Sequence, residues 1–193
     1  TKSRLTIEAP MKNMIFKLKQ IDQLDIGIVG GSNFPKQEEQ LGSDVLRQFD
    51  WVFSENGLMA FKNNKLINKA SIENYLGNAK ICELIDCVLE CFSKIKLPVK
   101  RGTFIDFRNG MINICPVGRS CSQEERKQFC EMDKNQGIRK KIVTYLNKKL
   151  SHLDLSYSIG GEISIDVFPK GWDKTYCLQF IESHYNTIYF FGD

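Results

Sequence analysis

The chain has 193 residues, enough for one ordinary domain or two small ones, and its 42% hydrophobic and 26% charged residues are the composition of a packed globular protein. Its net charge of +4 is mild, so it favours anionic ligands weakly and gives no argument for nucleic-acid binding. No apolar run approaches the roughly 20 residues that a membrane-spanning helix needs, which excludes a spanning segment within this sequence.

The first third of the sequence predicts a strand, a helix and a second strand. The apolar run from Leu24 to Val29 is typical of a buried strand, and the two glycines after it indicate a turn. Either Ser32 or Asn33 is expected to cap the next helix, which would end near Gln48. DWVFSENG predicts the second strand, and LMAFKNNKLI predicts a hairpin that turns at its paired asparagines. This order favours an α/β layer with a parallel sheet.

The spacing of apolar residues changes at Ser71. They then recur every three or four positions as far as Ile95, which predicts one amphipathic helix, or two helices broken near Gly77. A second helix is predicted after the next hairpin, with Ser120 or Ser122 as its cap.

The Asn109-Gly110 pair predicts that hairpin, because this dipeptide strongly favours a two-residue turn. Such a turn gives one apolar face, made of Ile105, Phe107, Ile112 and Ile114. The opposite, polar face carries Asp106, Arg108 and Asn113. One buried and one polar face are typical of a half-covered antiparallel sheet.

LSYSIGGEISIDVF predicts another hairpin. A three-residue loop that includes Glu162 places apolar residues of the two strands opposite each other. A two-residue loop at the glycines would instead place Ile159 opposite Glu162. The longer loop pairs Ile159 with Ile163 and Tyr157 with Ile165. Ser164 and Asp166 then lie on the polar face.

The end of the sequence predicts a short helix in GWDKTYCLQFI and a buried strand in NTIYFFGD. Segments typical of an α/β layer therefore flank an antiparallel α+β middle, a pattern expected when one domain is inserted into another. We expect residues 1–67 and 170–193 to form a partial α/β core domain and residues 68–169 an inserted α+β cap domain. The hinges are expected near Leu66–Ala70 and Pro169–Gly171.

Four arginines are concentrated in RGTFIDFRNGMINICPVGRSCSQEER: Arg101, Arg108, Arg119 and Arg126. A guanidinium group binds a phosphate or carboxylate through two parallel hydrogen bonds. The stretch is therefore either an anion-binding face or a solvated sheet face with ordinary surface charges, and residue types alone leave both interpretations open.

Five motifs in order carry a family resemblance: GIVGGSN, VFSENGL, the arginine-rich stretch, SIGGEISIDVFPKGWDKTYCL and FFGD. Together they resemble the eukaryotic phosphomannomutases of the haloacid dehalogenase superfamily over nearly the whole chain. The resemblance implies an α/β fold, a haloacid dehalogenase-like Rossmannoid core with an inserted α+β cap domain built on an antiparallel sheet. It also implies an enzyme that interconverts mannose 6-phosphate and mannose 1-phosphate through an aspartyl-phosphate and a bisphosphate sugar, supplying GDP-mannose synthesis.

The resemblance also implies roles for particular residues. The expected substrate-binding residues are Arg4, Arg108, Arg119, Arg126, Ser164 and Asp166. Ser32 would bind the transferring phosphoryl group, Lys174 would stabilise charge at the nucleophile, and Asp193 would be a Mg²⁺ ligand. Each role has a structural alternative, such as a helix cap for Ser32, an ion pair for Asp166 and a merely exposed lysine for Lys174. Arg101 is expected to be structural or to steer the substrate.

The family's DVDGT loop, with its nucleophile and acid/base aspartates, and its GGND magnesium loop do not occur in this sequence. We therefore expect the 193-residue chain by itself to be inactive, because nothing replaces the attacking carboxylate. Two other functions stay open: a non-catalytic sugar-phosphate-binding fragment, and a sugar-phosphate phosphatase of the same superfamily. The arginines argue against a phosphatase, because a phosphatase need not bind a second phosphate.

The expected partners are mannose 1-phosphate, mannose 6-phosphate and a hexose bisphosphate, with a homodimer formed through the cap and neither nucleic acid nor membrane. Substrate is expected to bind between two domains that close on it. The seven cysteines form no C-x-x-C pair, and neither of the two histidines is near a cysteine in sequence. This pattern disfavours a zinc site and favours reduced thiols in a cytoplasmic protein.

Overall fold

The computed structural model describes residues 6–192, which group into two compact units. Unit 1 consists of the chain up to Ala70 together with the chain from Gly171 onward, and unit 2 is Ser71–Lys170. Within residues 6–192, no helix has both the length and the apolar character needed to cross a bilayer. The roles of core domain for unit 1 and inserted cap for unit 2 stay predictions.

Unit 1 is built on a four-stranded sheet in the order β1-β2-β3-β4. Its elements in chain order are α1 (Ala9–Leu18), β1 (Gly27–Val29), α2 (Phe34–Leu41), α3 (Val45–Gln48), β2 (Trp51–Ser54), a 3-10 helix (Glu55–Gly57), β3 (Met59–Lys62), β4 (Lys65–Lys69) and a second 3-10 helix (Lys174–Phe180). Strands β1 and β2 are parallel, and the other neighbouring pairs are antiparallel. The hairpin predicted at Asn63 and Asn64 is confirmed, and their φ angles of 48° and 65° are the positive values that such a turn requires.

Strand β2 is buried on both faces, which explains its continuous apolar sequence. Trp51 and Phe53 pack with Ala60 on one side, and Val52 packs with Val45 on the other. Successive strand residues point to opposite faces of a sheet. A strand covered on both sides therefore shows no alternation of apolar and polar residues.

Two predicted boundaries in unit 1 are wrong. Strand β1 begins at Gly27 and not at Leu24, and it is only partly buried. Helix α2, capped by the Asn33 side chain, ends at Leu41 instead of continuing to Gln48. The reason is Gly42, whose φ of 108° is incompatible with a right-handed helix, so α3 forms as a separate turn.

The buried strand predicted in NTIYFFGD is also wrong. Tyr189 and Phe191 are 79% and 90% exposed, and residues 187–192 form no strand. Apolar composition indicates burial, but a strand also needs a neighbouring backbone to accept and donate its hydrogen bonds. The sequence pattern does not reveal whether that neighbour is present.

Unit 2 contains a second four-stranded sheet, in the order β5-β6-β8-β7, with every neighbouring pair antiparallel. Its elements in chain order are α4 (Ile72–Leu76), α5 (Asn78–Lys94), β5 (Ile105–Phe107), β6 (Ile112–Ile114), α6 (Gln123–Gln136), α7 (Ile138–Lys149), a 3-10 helix (Ser151–Leu153), β7 (Leu155–Gly160) and β8 (Ser164–Pro169). The helix break at Gly77 is confirmed by its φ of 77°. Helix α7 was not predicted, because its four lysines make the periodic pattern of apolar residues hard to recognise.

The first hairpin of unit 2 has the predicted register, with Asp106 opposite Asn113. The apolar face is buried at Ile112 and Ile114, which are both fully inaccessible to solvent. Phe107 departs from the expectation because it is 49% exposed. It lies on β5, an edge strand, where one side of a residue has no neighbouring strand to cover it.

The second hairpin has a different register from the predicted one. Ile159 pairs with Ile165 instead of Ile163, and Tyr157 pairs with Val167. The loop is residues 161–163 instead of the predicted three residues ending at Glu162. Because the shift in pairing is two residues, every side chain keeps its face, and the predicted polar face survives the error.

A buried ion pair accounts for this turn. Arg139 and Asp133 are each only 10% exposed at the side chain, and Arg139 Nε lies 2.7 Å from Asp133 Oδ2. Arg139 Nη1 also donates hydrogen bonds to the backbone carbonyls of Gly160, Gly161 and Ser164, at 3.0–3.2 Å. The guanidinium group thus holds both ends of the turn at once.

The start of helix α6 is fixed by a reciprocal cap. The Ser122 hydroxyl accepts from the Glu125 backbone N–H, and the Glu125 carboxylate accepts from the Ser122 backbone N–H. Arg101 Nε also donates to this carboxylate, at 2.8 Å. Arg101, followed by the cap hydrogen bond, lowers the pKa of Glu125. Arg101 therefore has a structural contact with the helix start.

We expect Arg139→Met to lower the free energy of unfolding by roughly 3–5 kcal/mol, because the buried Asp133 carboxylate keeps the hydrogen bond from the backbone N–H of residue 139 but loses the compensating guanidinium charge. Adding Asp133→Leu should recover part of that loss, since no unpaired charge remains. Urea unfolding measures both changes. Lys140→Met, an exposed change on the same helix, is the control and should stay within about 0.5 kcal/mol of the parent. Equal effects at positions 139 and 140 would contradict the role of the buried pair.

A second prediction concerns pH. The lowered pKa of Glu125 means that its carboxylate stabilises the fold above the unfolded-state pKa of about 4.5 and loses this effect as pH falls through the folded-state value. Glu125→Gln should therefore be less stable at neutral pH and lose less stability between about pH 7 and pH 3. Urea titrations across this range test it, with Glu131→Gln on the exposed side of α6 as the control. Parallel curves for parent and Glu125→Gln would refute the prediction.

Candidate active site

The polar face of the second sheet carries one polar residue from each strand in a single row. Asp106 on β5 pairs with Asn113 on β6, Asn113 pairs with Asp166 on β8, and Asp166 pairs with Ser158 on β7. We call these four residues the polar row. Because strand neighbours in register lie side by side, the row forms a continuous polar strip across the sheet.

Two of the predicted substrate-binding arginines meet at one end of the polar row. Arg108 Nε and Nη2 both donate to Asp106 Oδ2, at 3.0 and 2.9 Å. Arg119 Nε lies 3.7 Å from the same oxygen. The side chains of both arginines are about two-fifths exposed, at 39% and 41%, so they remain accessible to a ligand.

Arg119 is also joined to Asp166, the third residue of the row, through Asn113. Arg119 Nη1 donates to Asn113 Oδ1 at 2.9 Å, and Asn113 Nδ2 donates to Asp166 Oδ1 at 2.6 Å. Asn113 is 4% exposed. Arg108, Arg119 and Asp166, predicted separately, are thus connected in one network of hydrogen bonds and ion pairs.

The loop that carries Arg119 depends on a close backbone approach. Gly118 has φ of 89°, and a Cβ atom added there would lie 2.5 Å from the Gly102 carbonyl oxygen. Only glycine allows this contact without displacing backbone. The Arg119 backbone N–H then donates to the Thr103 carbonyl at 3.1 Å, which attaches the arginine to the loop before β5.

Arg126 lies on α6 and contacts a different part of unit 2. Its Nη1 is 3.6 Å from Glu162 Oε2, in the turn that Arg139 holds. Ser164 follows this turn on the same face as Asp166. Burial raises the pKa of the adjacent Cys115 thiol, which also hydrogen-bonds Ser164.

In unit 1, the loop around Ser32 lies at the carboxyl ends of the parallel strands β1 and β2. The Glu55 backbone N–H donates to the Ser32 carbonyl at 2.9 Å, and the Asn56 backbone N–H donates to Gly30 at 2.9 Å. Ser32 is exposed, and the α2 cap is made by Asn33. Ligand sites of open α/β sheets lie at such strand ends.

Asn56 also contacts the segment that precedes Lys174, which places that segment near the Ser32 loop. Its Nδ2 donates to the Trp172 carbonyl at 3.2 Å. Lys174 begins the last 3-10 helix and is exposed. That helix packs closely on Gly57, where a Cβ atom would lie 3.0 Å from Cys177 Cα. The loop of Ser32 and the segment of Lys174 therefore share one neighbour in unit 1.

Arg4 and Asp193 lie outside the described residues, so their predicted roles stay predictions. Across residues 6–192, no group of three or more His, Cys, Asp and Glu side chains could hold a metal ion.

The charge of the chain is unevenly divided between the two units. Unit 2 contains 16 of the 27 basic and 12 of the 23 acidic residues, and 16 − 12 equals the whole net charge of +4. Unit 1 is neutral on the same count. The excess positive charge thus belongs to the unit that contains the arginine-bearing sheet.

Sequence reasoning placed Asp106 and Asn113 on the polar face but did not identify them as site residues, and it missed Asn56 and Arg139. For the first two, strand alternation and the Asn109-Gly110 turn already gave the signal. For Asn56 and Arg139 the local pattern holds no signal, since Asn56 Nδ2 and Arg139 Nη1 donate to backbone carbonyls that are distant in sequence.

Comparisons with known proteins agree with the family resemblance. The profile of the family described as eukaryotic phosphomannomutase matches residues 11–193. A protein named phosphomannomutase from Dendrobium officinale is 49% identical over 193 residues, which cover 97% of this chain and 76% of that protein. One from Arabidopsis thaliana is 50% identical over 195 residues, covering 97% and 78%.

Among solved structures, the C-terminal domain of the Candida albicans trehalose synthase regulatory protein superposes with a TM-score of 0.61 at 11% identity, covering 94% of this chain and 59% of that one. At this identity the likeness shows the fold alone. The predicted fold class, α/β segments together with an α+β part built on an antiparallel sheet, is confirmed. The chain belongs to the eukaryotic phosphomannomutase family.

Proposed function

We propose that this protein is a phosphomannomutase, which interconverts mannose 6-phosphate and mannose 1-phosphate through an aspartyl-phosphate and a bisphosphate sugar. The observation that carries the proposal is the network in which Arg108 and Arg119 meet Asp166 on one sheet face. The names of the relatives supply the sugar and the reaction.

The chemistry explains why two anion sites are needed. A mutase handles a sugar that carries a phosphate at either end and, as an intermediate, at both. In this proposal Ser32 and Lys174 of unit 1 serve the transferring phosphoryl group, and Arg108, Arg119 and Arg126 of unit 2 bind the distal phosphate. Guanidinium groups suit that second role because they bind phosphate bidentately and stay protonated.

The carboxylates beside the arginines suit a bisphosphate sugar that must reverse its orientation in the site. Arg108 shares its donors with Asp106, and Arg126 lies near Glu162. A phosphate entering this face therefore competes with resident carboxylates, which weakens its net binding. Moderate affinity is useful here, because the bisphosphate has to reverse its orientation before the second transfer. Ser164 and Asp166 would bind the sugar hydroxyls.

Further parts of the proposal rest on the family. They are Mg²⁺ as cofactor with Asp193 as one ligand, substrate contact by Arg4, a hexose bisphosphate activator, a homodimer through unit 2, a cytoplasmic location and supply of GDP-mannose synthesis. When bound, Mg²⁺ would neutralise phosphate charge during transfer. The nucleophile would be an aspartate of a DVDGT loop, which these 193 residues do not contain.

We expect Arg108→Ala to weaken binding of mannose 1-phosphate by about 1.5–3 kcal/mol, because charge-assisted hydrogen bonds to the phosphate are lost. Arg108→Lys should restore only part of the affinity, since an ammonium group cannot form two parallel hydrogen bonds. Titration calorimetry measures both.

Lys140→Ala is the matched control for Arg108→Ala. It removes one exposed positive charge from the same unit and should change affinity little. Full recovery with Arg108→Lys would show that the bidentate role is wrong. An equal loss with Lys140→Ala would show that only overall charge matters.

The enzymatic activity is tested by sequencing the transcript and assaying the protein that it encodes. If the coding sequence upstream of Thr1 encodes a DVDGT loop, we expect the corresponding protein to convert mannose 1-phosphate to mannose 6-phosphate with Mg²⁺ and a hexose bisphosphate. Release of inorganic phosphate in place of mannose 6-phosphate would identify a phosphatase. Binding without turnover, in a transcript that lacks the loop, would identify a sugar-phosphate-binding protein.

A further inference from the structure

Asn113 is the second of the four residues of the polar row, on an inner strand of the second sheet. Strand β6 has β5 on one side and β8 on the other, and the residue is 4% exposed. Its side-chain amide accepts from Arg119 at 2.9 Å and donates to Asp166 at 2.6 Å. A buried amide with both functions satisfied is held firmly, since turning it would leave polar groups unpaired.

The chemistry of the two partners permits one orientation of this amide. A guanidinium group can only donate hydrogen bonds, and an ionised carboxylate can only accept them. The amide oxygen must therefore face Arg119 and its NH₂ group must face Asp166. A carboxylate at position 113 could satisfy the arginine but not the aspartate, and an apolar residue could satisfy neither.

The amide also keeps two opposite charges apart. A carboxylate next to a guanidinium group normally forms a direct bidentate pair, which would occupy the donors of Arg119 and the acceptors of Asp166 together. Here Asn113 lies between them and uses one donor of Arg119 and one oxygen of Asp166. The remaining N–H donors of Arg119 and the second carboxylate oxygen of Asp166 are therefore not used in a direct ion pair between the two side chains.

We propose that Asn113 is a positioning residue for the sugar-phosphate site. It fixes the separation of Arg119 and Asp166 and prevents their direct pairing, so that the guanidinium group can bind phosphate while the carboxylate binds a sugar hydroxyl. Asn113 itself does not contact the ligand. This inference rests on the proposed function, because it assumes that Arg119 and Asp166 bind the substrate.

The decisive variant is Asn113→Asp, which keeps the size of the side chain and an acceptor for Arg119. It places a second carboxylate within hydrogen-bond distance of Asp166, and two such groups cannot both ionise freely. At neutral pH we expect mannose 1-phosphate to bind at least about tenfold more weakly, as expected when a buried charged group loses its hydrogen bond. The charged side chains facing position 113 in this network are Asp106, Arg108, Arg119 and Asp166.

The pH profile separates positioning from general damage. As pH falls towards about 5, the carboxylate pair created by Asn113→Asp takes up a proton and regains a hydrogen bond. The ratio of variant to parent affinity, measured by calorimetry at each pH, should therefore recover. Using the ratio removes the titration of the phosphate ligand itself. Asn135→Asp, on the exposed surface of α6, adds the same charge to unit 2 and should show neither the loss nor the recovery.

Asn113→Ser covers the case in which the aspartate variant fails to fold. A serine is too short to reach both partners and adds no charge, so affinity should fall at every pH with no recovery. Circular dichroism and urea unfolding establish that each variant compared is folded at the temperature of the titration.

Arg119→Ala distinguishes failure of this inference from failure of the proposed function. If Arg119→Ala weakens binding while folded Asn113→Ser or Asn113→Asp binds as the parent does, Asn113 has no positioning role. A folded Asn113→Asp whose affinity ratio stays low down to pH 5 likewise overturns the role. If Arg119→Ala also leaves affinity unchanged, the arginine site itself is wrong.

Discussion

The antiparallel register of β5, β6, β8 and β7 is the constraint on which the candidate site depends. It places Asp106, Asn113 and Asp166 side by side on one face, while Ile112 and Ile165 fill the core behind them. A slip of one residue in any pair would exchange these faces, placing carboxylates in the core and isoleucines in water. Core packing and the site are therefore specified by the same hydrogen-bond ladder.

Buried polar side chains maintain this arrangement at two points of unit 2. Asn113 links the arginine of one loop to the carboxylate of β8, and Arg139 connects helix α7 to the β7–β8 turn. In both cases a polar group with little access to water satisfies several partners at once, so the geometry is stiff. The exposed arginines are thus presented from a rigid support, which limits the conformational entropy lost when they bind an anion.

Local sequence chemistry predicted those features that depend on adjacent residues. The turn at Asn63-Asn64 and the helix break at Gly77 were found because each requires a φ angle that few residues adopt. The hairpin at Asn109-Gly110 was found from the turn preference of that dipeptide. The β7–β8 register was wrong by two residues, because that turn is held by Arg139 from a helix outside the hairpin. The prediction of a strand in NTIYFFGD was wrong for a related reason. Apolar composition does not show which strand, if any, a segment pairs with.

The sequence by itself determined the family, the fold class and the alternation that puts Ser164 and Asp166 on the polar face with Arg108. These follow from motif order and from a side-chain period of two, which survives a register error of two residues. Only the tertiary structure decided that Asn113 joins Arg119 to Asp166, that Arg126 lies near Glu162, and that Asn56 connects the Ser32 loop to the chain before Lys174. The physical reason is that hydrogen bonds between residues far apart in the chain depend on distance and direction in space, and residue spacing along the sequence encodes neither.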